Sequence, residues 1–143
     1  MSDPYLSEKA CVDRLFEEWK KYGSIIVAFD FDMTVFDYHE RGDVYPKVVE
    51  LLRQCKALGF HLTVFTSCND DRFEFIKGYL TENDIPFDSI NETPDFIPFK
   101  GRKVYYNILL DDRAGLLSAY NQLSSLVYTI RGYKANQNLM EIA

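Results

Sequence analysis

The chain has 143 residues, 47% of them hydrophobic and 15% aromatic, enough for one well-filled core and too few for two ordinary domains. A formal charge of −6 argues against a nucleic-acid-binding face, because phosphate backbones are held by clustered Lys and Arg, and the densest basic stretch, Lys100 to Lys103, is a local patch that suits a small anion at most. Cys11, Cys55 and Cys68 are odd in number and irregular in spacing, which argues against a disulfide framework; with neither a basic and apolar leader nor a membrane-length apolar run, a reducing cytoplasm and no membrane contact are expected.

Ser7 to Tyr22 carries Cys11, Leu15, Trp19 and Tyr22 at helical intervals, with charged residues between them and Gly23 as a stop. Four short segments rich in β-branched and aromatic residues then read as strands: Ser24 to Asp30, His61 to Ser67, Val104 to Asp112 and Ser125 to Ile130. Helical patterns separate them. The first, Pro46 to Leu58, has proline at its first turn, Gly59 past its end, and Val48, Leu51, Leu52 and Cys55 on one side. The second spans Asp70 to Glu82 and the third, shorter, Ala114 to Leu123. A fainter strand is expected at Phe87 to Glu92, followed by a proline-rich loop from Glu92 to Lys103.

Alternation of near-continuous apolar strands with helices predicts an α/β, doubly wound (Rossmann-like) parallel sheet of about five strands in a single domain. The predicted organisation is an N-terminal helix over 1–23 packed on the core, a core over 24–130 and a tail over 131–143.

In such sheets, ligands sit beyond the carboxyl ends of the strands, so the polar residues there carry the functional signal. The first strand ends in Asp30-Phe31-Asp32, the second in Thr66-Ser67, and the Val104 segment in Asp111-Asp112. Taken singly, Asp112, Ser67 and Asn69 read best as helix caps. Asp30 does not, because a carboxylate at the end of Ile25 to Phe29 loses hydration and demands compensation. Asp32, two residues on along an extended chain, faces the same way, and Asp111 brings a third acid. Three converging carboxylates with no nearby His or Cys predict a hard divalent cation, Mg²⁺, held by Asp30, Asp32 and Asp111 and keeping waters that a phosphate can replace.

These residues resemble the motifs of the haloacid dehalogenase superfamily of phosphatases, in order along the chain. Asp30-Phe31-Asp32-Met33-Thr34-Val35 is similar to the first motif, Val64-Phe65-Thr66-Ser67 to the second, a lone lysine to the third, and Ile108 to Asp112 to the fourth, with Met33 standing where the family often has Gly. The resemblance implies that Asp30 is the nucleophile, carrying a transient aspartyl phosphate, and that Asp32 is the acid and base for the leaving oxygen and the hydrolytic water. It also implies that the backbone carbonyl of Asp32 joins Asp30 and Asp111 on the metal, with Thr34 and Asp112 supporting these ligands from behind. Thr66 and Ser67 would bind the phosphoryl group, aided by a lysine; Lys103 is preferred over Lys100 because it leads directly into the strand ending at Asp111. Little sequence separates the motifs, so no cap domain is expected. An open site bordered by Tyr38, His39 and Arg41 on one side and by Phe96 and Phe99 on the other would take a phosphorylated substrate. Arg113 is expected to pair with Asp112, and the aromatic content leaves self-association open.

Two other classes compete. A response-regulator receiver shares the sheet, the acids, a hydroxyl and a lysine, but its paired acids end the first strand rather than a later one. A catalytically idle binding subunit is the third reading, although nucleophile, acid, hydroxyl, lysine and metal acid are all present. A cysteine-based phosphatase is excluded, since Cys68 to Arg72 is too short for its phosphate loop.

Overall fold

The computed structural model describes residues 3–142. Ser7 caps the first helix, α1 (Glu8–Tyr22), its hydroxyl accepting from the Ala10 N–H, and Gly23 ends it in the left-handed region at φ +79°. Leu15 and Trp19 turn inward, whereas Tyr22 lies outside the core. Strand β1 (Ile26–Phe29) is buried along its whole length. Helix α2 (Pro46–Ala57) buries the four residues that its periodicity selects, Val48, Leu51, Leu52 and Cys55, and leads into β2 (His61–Val64). A 3₁₀ turn at Asp70–Arg72 opens α3 (Phe73–Glu82), followed by β3 (Ser89–Ile90), β4 (Ile108–Leu110) and α4 (Leu116–Ile142).

All strand pairings are parallel, and the order is β3-β2-β1-β4. The α/β parallel sheet flanked by helices is therefore as the sequence predicts, with four strands rather than about five. The strand expected at Ser125 to Ile130 is the middle of α4. Its buried residues, Ala119, Leu123, Leu126, Val127 and Ile130, recur every three to four positions, and Tyr128, which a strand would place with Leu126 and Ile130, is 82% exposed. The Thr129 hydroxyl donates to the Ser125 carbonyl one turn back, so even the β-branched residue there is accommodated by the helix. The short third helix and the separate tail merge into this one element, which packs on α1, α2 and β4.

The strand expected over Val104 to Asp112 is paired only at Ile108–Leu110. Ahead of it the Asn107 side chain accepts from the Ile26 N–H at 2.7 Å and its backbone N–H donates to the Ile26 carbonyl, so a side-chain bond supplements the ladder at the foot of β1. The three cysteines are free, and burial pushes the Cys55 thiol up to about 12, well away from reactivity. Among the described residues no helix is long and apolar enough to cross a membrane.

Candidate metal and phosphate cleft

In the order β3-β2-β1-β4 the chain steps from β1 to β2 and β3 on one side and places β4 on the other, and a cleft lies beyond the carboxyl ends of β1 and β4 at this switch. Asp30 follows β1, and Asp111 and Asp112 follow β4. The ladder runs up to them: the Asp30 N–H donates to the Leu110 carbonyl at 2.8 Å. One oxygen from each of the Asp30, Asp111 and Asp112 carboxylates lies within 4.8 Å of the others. The Asp112 N–H donates to the hydroxyl of the fully buried Thr34, and the Arg113 N–H donates to the Asp111 carboxylate at 2.9 Å. Thr34 thus stands behind the acids, while Asp112 joins the cluster itself.

The electrostatics follow from this crowding. Burial, the neighbouring Asp112 carboxyl and the charge of Asp111 together push Asp30 up to about 7, against a smaller downward pull from the Phe31 N–H. Among the described residues no lysine or arginine side chain forms an ion pair with Asp30, Asp111 or Asp112. Three oxygen donors converging without an organic cation fit a hard divalent ion such as Mg²⁺.

Asp32 departs from the expectation that its carboxylate faces the metal with Asp30. Met33, the next residue, has φ +63°, and the Phe31 carbonyl accepts from the N–H groups of Val35 and Phe36, so the chain turns back at once instead of staying extended. Asp30 and Asp32 both line the cleft, but the Asp32 carboxylate is not among the three that meet. The Asp32 carboxylate is held by Arg72 in a two-pronged pair, at 2.7 and 2.8 Å. Around that guanidinium lie the rings of Phe31 and Tyr38 at 5.5 Å and of Phe36 and Phe75 at 5.8 Å. Sequence reasoning missed Arg72; its only signal was an arginine in the first turn after the second motif, with Phe31, Phe36 and Phe75 at apolar positions nearby.

Thr66 and Ser67 line the same cleft of about 720 Å³ as Asp30, Asp111 and Asp112. Thr66 is set in place by Asn91, which follows β3: the Asn91 side chain accepts from the Thr66 N–H and donates to the Thr66 carbonyl, each at 2.8 Å. Asn91 sits at φ +54°, a conformation that asparagine adopts more readily than most residues, and this was the signal available in the sequence.

Neither expected lysine lines the cleft. The Lys100 ammonium donates to the carbonyls of Thr93 and Pro94, closing its own loop, and Lys103 lies over the Tyr106 ring at 5.9 Å. Between them Arg102 lines the cleft. Arg113 also lines it and makes no ion pair with Asp112 among the described residues. On the far border, Tyr38 and His39 are part of the lining and Arg41 is not. Phe96 packs on His61 and Phe99 on Tyr105, so these two rings cover the loop rather than border the cleft.

No family model matches the chain, and no curated protein does. Among solved structures, the chain is similar to a conserved protein coded by a locus from Bacteroides thetaiotaomicron, with a TM-score of 0.53 and 22% identity over 63% of this chain and 77% of that one. At that identity the likeness concerns the fold.

Proposed function

We propose that the protein is a Mg²⁺-dependent phosphatase of the haloacid dehalogenase type, working in the cytoplasm on phosphate monoesters without a cap domain. The observation that carries this reading is the meeting of Asp30, Asp111 and Asp112 within 4.8 Å at the switch point of the sheet, uncompensated by any lysine or arginine among the described residues. Mg²⁺ bound by these three would offset their mutual repulsion and the charge of the phosphoryl group.

Asp30 supplies the nucleophile: one carboxylate oxygen bonds to phosphorus as the bond to the alcohol oxygen breaks, leaving an aspartyl phosphate. The alcohol departs with a proton, and water then attacks phosphorus, releasing inorganic phosphate and restoring Asp30. Thr66, fixed by both ends of the Asn91 amide, and Ser67 present hydroxyls to the phosphoryl oxygens, and Arg102 and Arg113 add positive charge that lowers the cost of the crowded oxygens in the transition state. Asp32 exchanges the proton with the leaving oxygen and the water, which requires its carboxylate to turn from Arg72.

That same ion pair supports a second reading, in which Asp30 accepts a phosphoryl group but releases it slowly because Asp32 stays with Arg72, as in a receiver-like acceptor or a binding subunit. Steady-state hydrolysis of an aryl phosphate with and without Mg²⁺ separates the two. Continuous turnover that vanishes in Asp30→Asn and without Mg²⁺ is expected; a single burst of one equivalent with a stable phosphorylated protein would establish the acceptor instead.

A further inference from the structure

The polar groups of the cleft are largely committed. Asp30, Asp111 and Asp112 meet each other, both Asp32 oxygens are taken by Arg72, and both ends of the Asn91 amide are taken by Thr66. Setting aside Thr66 and Ser67, which face a phosphoryl group, the rest of the lining is Met33, Tyr38, His39, Phe65 and Val104 with two arginines, Arg102 and Arg113. With the three meeting acids set aside for a metal, the remaining lining offers three rings and two guanidinium planes, flat faces rather than acceptors for the hydroxyls of a sugar.

Two of these rings pack against neighbouring groups. Tyr38 is 54% exposed, and its ring packs against the Arg72 guanidinium at 5.5 Å and the His39 ring at 5.1 Å. Phe65, half-buried at the end of β2, is braced by the Tyr106 ring at 6.0 Å. An aromatic ring that already packs against neighbours loses less freedom when a second flat group lies against it, which favours a preorganised subsite.

We infer that the substrate is a phosphate monoester whose alcohol carries a planar aromatic ring, with Tyr38 and Phe65 as the residues that recognise the ring. The inference rests on the phosphatase reading for the chemistry but not for the binding. A phenol-type ester and a nucleoside monophosphate both satisfy it, and they are separate arms of the test.

With Mg²⁺ present, calorimetry compares phenylphosphonate with methylphosphonate, neither of which can be turned over, and steady-state kinetics compare phenyl phosphate, a nucleoside 5′-monophosphate and glucose 6-phosphate. Phenylphosphonate is expected to bind about tenfold more tightly than methylphosphonate. Tyr38→Ala and Phe65→Leu should each erase most of that margin, while Tyr38→Phe keeps it. The lower KM of the two aromatic esters tells which arm fits better. Equal binding of the two phosphonates, or a KM for glucose 6-phosphate as low as that of both aromatic esters, overturns the aromatic subsite. A tenfold phosphonate preference with no ester hydrolysed leaves the subsite standing and removes the phosphatase reading; no binding of either phosphonate removes both.

Discussion

Asp30 and Asp32 are two residues apart, and the fold places them in opposite electrostatic circumstances. Asp30 faces two more carboxylates and is pushed up to about 7; Asp32 has a bidentate guanidinium partner, itself boxed by four aromatic rings. One region is an uncompensated concentration of charge, which costs stability unless a cation arrives. The other is a closed, compensated network that stabilises the fold. The contrast teaches that two identical side chains in one motif can divide into a ligand-seeking group and an anchored one through the partners that the fold brings to each, Asp111 and Asp112 to Asp30 and Arg72 to Asp32.

The sharpest way to break the contrast is to neutralise the uncompensated pole. Asp30→Asn should lower the rate of aryl phosphate hydrolysis by about a thousandfold or more, as expected for loss of a nucleophile. The same variant should melt higher than the wild type in metal-free buffer at pH 8. Because Asp30 is pushed up, the folded state holds a proton that the unfolded chain has already released, so its contribution is present in acid and is lost as pH rises through about 7. Removing the carboxylate removes that loss, and differential scanning calorimetry across pH 5 to 8 reads it.

Binding of Mg²⁺ must displace the same proton. Its dissociation constant should therefore weaken by about tenfold for each unit of pH below about 7 and level off above it, measured by isothermal titration calorimetry. A flat profile would mean that Asp30 is not a ligand.

The compensated pole is broken from the other side. Arg72→Ala leaves Asp32 without its partner and the four rings without their filler, and should cost about 2 kcal/mol in denaturant unfolding, since the pair is only partly buried. If stability is unchanged, the network is not what anchors Asp32.

Asn91→Ala removes both bonds that fix Thr66 and places alanine at a positive φ; a loss of about 1 kcal/mol and about a tenfold fall in kcat/KM are expected. The smallest effect should come from the basic loop. Lys103→Ala is expected to change kcat/KM by less than about twofold and Arg102→Ala by about tenfold, because only the arginine lines the cleft. The reverse order would restore the lysine that the motif resemblance suggested.

The sequence by itself determined the class of the fold and the location of the cleft. Runs such as Ile25 to Phe29 can be buried only in the middle of a sheet, helices such as α2 show their buried stripe directly in their spacing, and acids at the ends of two strands must meet if those strands are neighbours. It misjudged Ser125 to Ile130, where β-branched residues outweighed a helical period that only packing on α1, α2 and β4 makes decisive. The tertiary structure alone decided which acids converge, that Asp32 pairs with Arg72, that Asn91 holds Thr66 and that Arg102 rather than a lysine lines the cleft. These pairings join residues from 25 positions apart, Thr66 and Asn91, to 82 apart, Asp30 and Asp112, and spacing along a chain carries no record of where a loop points its side chains.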